Sequence, residues 1–293
     1  MSFHEPQLRT LDYDPVRYGT SRISFRGPKK DLSGRYIAFL GGSETYGKFI
    51  PTPFPEHVEA ELGLTCLNLG YMNAGIDAFI HEAEVLSMAA HAEITVIQVM
   101  GAQNMSNRLY RVHPRRNDRF LAASTMMQAV FREVDFTEYH FTRHMLHDVA
   151  AQANDRFAFI TGELRTAWSK RMMLLLGMLP GKKILLWFAD HPPPEDPVAL
   201  PGKDPWFVDR GMIDRLRAHV DGIVEVNVSK GAMRQGIAGK HFAPLELSAA
   251  RHMFGPQAHD EAAEALVKTL KPMLAKRNRP HWGACQVMIS LWA

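Results

Sequence analysis

Three apolar runs in roughly the first hundred residues end the same way. Each runs into glycine with a serine, asparagine or glutamine close behind, and that repetition constrains the fold more than any other feature of the chain. The runs are Tyr36-Ile-Ala-Phe-Leu40 before Gly41-Gly-Ser43, Leu64-Thr-Cys-Leu-Asn-Leu69 before Gly70-Tyr-Met-Asn73, and Glu93-Ile-Thr-Val-Ile-Gln-Val-Met100 before Gly101-Ala-Gln-Asn104. Short continuous apolar runs bounded by turn residues read as strands buried on both faces. Between them, Pro53 to Leu62, stopped by Gly63, and the stretch from Asp77 to about Ala92 read as helices. Strand–helix–strand alternation requires right-handed crossovers and a parallel sheet. All carboxyl ends of such a sheet lie on one edge, where open α/β sheets place their ligands. Ser43, the Asn73/Gly75 turn and the Gln103/Asn104 turn are therefore expected to converge.

The rest of the chain extends this frame. Lys183–Ala189 and Gly222–Asn227 read as a fourth and a fifth strand, and Asp204–Val220 as an amphipathic helix. The last helix is expected from Pro256, which suits a first turn, to about Lys276. Helical segments around 119–134, 137–153 and 156–178 are too long for a simple crossover, so residues 105–180 read as a helical insertion on one side of the sheet. The arginine-rich stretch Asn107–Arg119 ahead of them reads as a loop. The predicted fold is a three-layer α/β sandwich on a five-stranded, mostly parallel sheet. Its domain spans 36–276, with an N-terminal extension at 1–35 and a C-terminal tail at 277–293.

Composition narrows the function. A net charge of +3, without interleaved basic and aromatic residues, gives no basis for a nucleic-acid partner. Two cysteines far apart, Cys66 and Cys285, form neither a disulfide framework nor metal-ligand spacing, so no metal and no cofactor is expected. No signal-peptide pattern opens the chain, and the most apolar window, Met172–Leu179, is far shorter than the ~20 residues that span a bilayer. A cytoplasmic protein acting on a small molecule, with no membrane partner, is the expectation. The stretch Gly41-Gly-Ser-Glu-Thr-Tyr-Gly-Lys48 lacks the glycine spacing and the Lys-Ser/Thr pair of a phosphate-binding P-loop.

Ser43 just past a strand end could be a nucleophile, or could only cap the next helix. With these residues laid out, the chain resembles the SGNH (GDSL-like) hydrolase superfamily, as a divergent member. Gly41-Gly-Ser-Glu-Thr-Tyr-Gly47 is similar to the Gly-Gly-Ser-x-Thr-x-Gly variant of that family's first block. The resemblance implies a flavodoxin-like sheet order and a serine esterase or acetylesterase acting on a small acyl or carbohydrate ester, with Ser43 as nucleophile. It implies an oxyanion glycine at Gly75 (or Gly70) and a side-chain amide from Asn104 or Gln103. The catalytic base falls to His252, which stands where the family's last block does but has Ala249 in place of its aspartate, or to His259. His259 also lies on the helix stripe that faces the sheet, as a core residue would. His191, beside Asp190, is a third candidate, and Asp190 could stand in for the missing acid. Arg108 and Arg111 could pair with an anionic part of the substrate. The absent aspartate equally suits a second reading: a non-catalytic binding module, or a transferase, for an anionic or sugar ligand.

Overall fold

The computed structural model describes residues 10–197 and 199–275. Five strands form the main sheet: β1 (Tyr36–Gly41), β2 (Thr65–Gly70), β3 (Ile94–Gln98), β6 (Lys182–Ala189) and β7 (Gly222–Asn227). They are all parallel, in the order β2-β1-β3-β6-β7. The chain starts inside the sheet, steps outward once, and then winds the other way, which is the flavodoxin-like order with its reversal between β1 and β3. Gly41 pairs with Gly70 in the β1–β2 register, so the first two bends leave the sheet side by side.

Alternation along each strand feeds two cores. Ala38, Leu40, Leu67, Leu69, Ile97, Leu185 and Trp187 face one layer. That layer holds α4 (Ala83–His91), α6 (Thr142–Gln152), α7 (Asn154–Met178) and α8 (Arg210–Asp214). Ile37, Phe39, Cys66, Val96, Ile184, Leu186 and Phe188 face the other. There lie α2 (Phe54–Leu62), α9 (Lys230–Arg234) and α11 (Pro256–Ala275). The α11 residues Ala258, Ala262, Ala263, Leu266 and Leu270 fall on one helical face and are all buried. Each buried leucine contributes ~2 kcal/mol through removal of apolar area from water.

Three departures from the sequence reading have clear causes. The arginine-rich stretch is part of an antiparallel hairpin of β4 (Tyr110–Val112) and β5 (Phe120–Ala123), with residues 113–119 as its connection. Its alternation was hidden because the run is so polar: Tyr110 and Val112 are buried and Arg111 between them is exposed. The insertion is otherwise helical, with α5 (Thr125–Val130), α6 and α7. The helix expected from Asp77 to Ala92 is split into α3 (Asp77–Ile80) and α4 at Glu82, whose backbone is extended (φ −111°, ψ 95°) while its carboxylate accepts from the Ser21 hydroxyl and the Arg22 N–H. The helix expected from Asp204 starts only at Arg210, where the Asp209 side chain accepts the Met212 N–H as its cap. The predicted tail, Cys285 included, lies outside the described residues.

Candidate functional site

Ser43 opens α1 (Ser43–Tyr46), a single turn at the carboxyl end of β1. Gly41 makes that turn possible: a Cβ there would stand 2.1 Å from Thr45 Oγ1 and 2.5 Å from Gln98 Oε1. The buried Gln98 at the end of β3 braces the bend by accepting from the Gly42 N–H at 3.0 Å and the Thr45 hydroxyl at 2.6 Å. Asn68 on β2 does the same from the other side, donating to the Thr45 carbonyl at 2.8 Å. The Ser43 backbone is thus fixed by side chains from both neighbouring strands.

The three bends do meet. Asn73 N–H donates to Ser43 Oγ at 3.0 Å, and the Ser43 hydroxyl faces Asn73 Oδ1 at 3.4 Å. Asn73 holds a left-handed backbone at φ 55°, a conformation asparagine adopts more readily than most residues. Asn104 Nδ2 donates to the Asn73 carbonyl at 3.1 Å, while its Oδ1 accepts from Thr142 at 2.8 Å. Gly75 is pressed against the third bend: a Cβ on it would lie 1.6 Å from the Asn104 carbonyl oxygen. Ser43 is 8% exposed, so its hydroxyl sits at the floor of this rim.

Three residues that the sequence did not single out complete the arrangement. Asp118, in the hairpin connection, accepts from Asn73 Nδ2 at 3.1 Å, giving a chain Ser43–Asn73–Asp118. Asn117, 1% exposed, accepts from the Gly75 N–H at 2.9 Å and the Ala78 N–H at 3.0 Å and donates to the His113 and Pro114 carbonyls. Thr142 links Asn104 to the Asp118 carbonyl. Nothing in a single sequence marks these positions: the hairpin connection brings in Asn117 and Asp118, the latter 45 residues downstream of Asn73, and Thr142 arrives at the start of α6. Glu44, partly buried beside Ser43, takes a bond from Gln98 Nε2 at 3.2 Å. Burial, and then the nearby Asp204 carboxylate, raise its pKa above the usual glutamate value.

The expected oxyanion set is altered. The Gly75 N–H, expected to face an oxyanion, is consumed by Asn117. Between the two candidate amides, Asn104 joins the Ser43 network and Gln103 does not. Gln103 folds back over Gly101 toward Trp206, and its Oε1 has no hydrogen-bond partner among the described residues.

The expected bases are placed elsewhere. His259 is 1% exposed in the α2/α11 core, packed on Phe54 and Phe188, with Nδ1 accepting the Phe54 N–H at 3.2 Å. Burial pushes its pKa down to about 3, so the ring is neutral and structural. His252 is exposed at the end of α10 (Leu247–His252), with Nδ1 on the Ser248 carbonyl of its own helix at 2.7 Å. The segment after it is held by the buried Lys240, whose ammonium donates to the Ala250 and Met253 carbonyls and whose pKa burial lowers to about 8. The ring nitrogens of His191 face the carbonyls of Pro192 and Asp204, at 2.7 Å and 3.1 Å, and Asp190 is paired with Lys203 at 2.8 Å. Ser43 Oγ has hydrogen bonds only with Asn73 among the described residues.

The expected anion clamp is also dispersed. Arg108 is bound to Glu163 of α7 through both its Nε, at 2.7 Å, and its backbone N–H, at 3.0 Å. Arg111 points to solvent on β4 and makes no ion pair among the described residues. No group of three or more His, Cys, Asp or Glu among the described residues could hold a metal ion. No helix among them is long and apolar enough to cross a membrane.

A five-stranded parallel sheet in this order, with the serine at the end of its first strand, defines an α/β protein of flavodoxin-like sheet order. The family described as Domain of unknown function (DUF6473) matches residues 1–274, and the chain belongs to that family. No curated protein matches the sequence. Among solved structures, the chain is similar to a lipase/acylhydrolase from Enterococcus faecalis. That match has 12% identity, covers 82% of this chain and 97% of the other, and has a TM-score of 0.43. It is also similar to a carbohydrate esterase family 2 enzyme with a carbohydrate-binding domain from Corynascus thermopiles (Myceliophthora fergusii), at 13% identity, 86% and 70% coverage and a TM-score of 0.41. An acetyl xylan esterase from the rumen bacterium Butyrivibrio proteoclasticus matches at 13% identity, 86% and 67% coverage and a TM-score of 0.42.

Proposed function

We propose that the carboxyl rim around Ser43 is a binding site for a small polyhydroxylated ligand, of sugar type, on an SGNH-like frame, and that Ser43 serves it as a hydrogen-bonding hydroxyl. One observation carries this reading: the partner of Ser43 Oγ is Asn73, an amide, where a nucleophilic serine needs a base. A serine hydroxyl attacks only when a neighbouring group takes its proton, and a carboxamide accepts hydrogen bonds but not a proton at neutral pH. The groups lining the rim are Ser43, Asn73, Asp118 and Glu44, a mixture of donors and carboxylate acceptors. Such a set suits ligand hydroxyls, which both donate and accept, better than it suits an anion.

A second reading keeps Ser43 as the nucleophile of an acyl-ester hydrolase. The Ser43–Asn73–Asp118 chain favours it, because a rotation of the Asn73 side chain would clear the space between the hydroxyl and the Asp118 carboxylate. A fluorophosphonate probe separates the two. The binding reading expects no adduct on Ser43, together with ligand-observed NMR contacts to a sugar panel that Asn73→Ala abolishes. The hydrolase reading expects an adduct that both Ser43→Ala and Asp118→Asn remove.

A further inference from the structure

A second surface feature shares no lining residue with the Ser43 rim. A groove of about 250 Å³ is lined by Thr20, Arg22, His81, Glu82, Pro114 and Arg115. Its walls come from three separated parts of the chain, and each is tied down. Thr20 donates through its N–H and its hydroxyl to Glu84 Oε1, at 3.2 Å and 2.9 Å. The Ser21 hydroxyl and the Arg22 N–H share Glu82 Oε2, at 3.1 Å and 3.4 Å. Opposite them, the backbone N–H groups of Arg115 and Arg116 both donate to His113 Nδ1, at 3.2 Å and 3.1 Å. Asn117 fixes the Pro114 carbonyl from below.

The acidic side chains here are engaged with backbone N–H groups and hydroxyls, and the basic ones are left over. The guanidinium groups of Arg22 and Arg115 make no ion pair and no side-chain hydrogen bond among the described residues. Other arginines of the insertion divide: Arg108, Arg143, Arg156 and Arg171 have carboxylate partners, while Arg111, Arg116, Arg119 and Arg132 have none among the described residues. Two arginines line this braced groove, with His81 beside them, and their guanidinium groups are forked donors of the geometry that tetrahedral oxyanions accept. The fixed backbone also lowers the ordering cost of binding. The geometry points to a phosphate-binding site in this groove, taking the free ion or the phosphate group of a small monoester, with Arg22 and Arg115 as its donors and Glu82 as the carboxylate that orders the Arg22 wall. This assignment does not rest on any role of Ser43.

Isothermal titration calorimetry of the full chain tests it, with inorganic phosphate in one arm and phenyl phosphate in the other. Saturable binding is expected, weakened about tenfold by either Arg22→Gln or Arg115→Gln, since a charge-assisted hydrogen bond contributes on that scale. Binding in both arms assigns the site to phosphate groups on small molecules, and binding in the first arm alone to the free ion. Arg132→Gln, which removes an equal charge from an exposed arginine elsewhere, should leave the affinity unchanged. The proposal is overturned by absence of saturable binding in both arms. It is equally overturned by affinity that survives the Arg22→Gln/Arg115→Gln double variant, or by equal weakening in Arg132→Gln.

Discussion

At the scale of single residues, the rim is held by groups whose replacement has a calculable cost. Asn117 satisfies two backbone N–H groups, those of Gly75 and Ala78, and is fully buried while doing so. Asn117→Ala should destabilise the protein by ~2–4 kcal/mol, because it leaves two buried donors unpaired, and urea denaturation would show it. Gly75→Ala forces a methyl into the Asn104 carbonyl and should cost ~1–3 kcal/mol or more by the same measurement. His259 gives a pH signature. Its pKa falls from 6.5 to about 3 on folding, so below pH 6.5 the unfolded chain takes up a proton that the native state refuses. Stability conferred by the neutral ring is fully present above pH 6.5 and is lost as pH falls toward 3, at up to about 1.4 kcal/mol per pH unit. In His259→Gln, a comparison of urea midpoints with the wild type between pH 7 and 4 should show that part of the slope removed; an unchanged slope would contradict the placement of His259 in the core.

At the scale of elements, the β4–β5 hairpin is what the parallel sheet alone would not supply. It delivers Asn117 and Asp118 to the rim, and it is tied to α7 through Arg108 and Glu163. The two partners of that tie are unequal. Glu163 is buried and accepts from both the side chain and the backbone of Arg108, whereas the Arg108 side chain is largely exposed. Glu163→Ala should therefore cost ~2 kcal/mol or more, since it strands the Arg108 N–H, while Arg108→Ala should cost under ~1 kcal/mol. Thermal denaturation of both variants checks the ranking, and equal losses would contradict it. The same hairpin shows where sequence reading stopped. Tyr36–Gly41, Gly222–Asn227 and Pro256–Ala275 were legible because each apolar pattern is bounded at one end by glycine or proline. Tyr110–Val112 was not, because two buried residues around one arginine give too short an alternation to read. Convergence of Ser43, Asn73 and Asn104 followed from strand order, since parallel strands share one carboxyl edge. The hydrogen-bonding state of each group did not follow, because it depends on partners far away in the chain. Gly75 is bonded to Asn117 and His259 to Phe54, pairs that no local pattern announces.

At the scale of the whole molecule, two apolar cores clamp a parallel sheet and leave its carboxyl rim to carry polar groups. That rim carries three glycine-marked bends and the serine at the end of the first strand. The rim sets an amide against the Ser43 hydroxyl, while the candidate histidines His259 and His252 lie in a core and on a helix surface. The most direct measurement is intact-mass and tryptic mass spectrometry of the full chain after incubation with a fluorophosphonate probe, beside a serine esterase as positive control. The account predicts full labelling of the control and no adduct on Ser43. A stoichiometric adduct on Ser43, absent from Ser43→Ala, would contradict it.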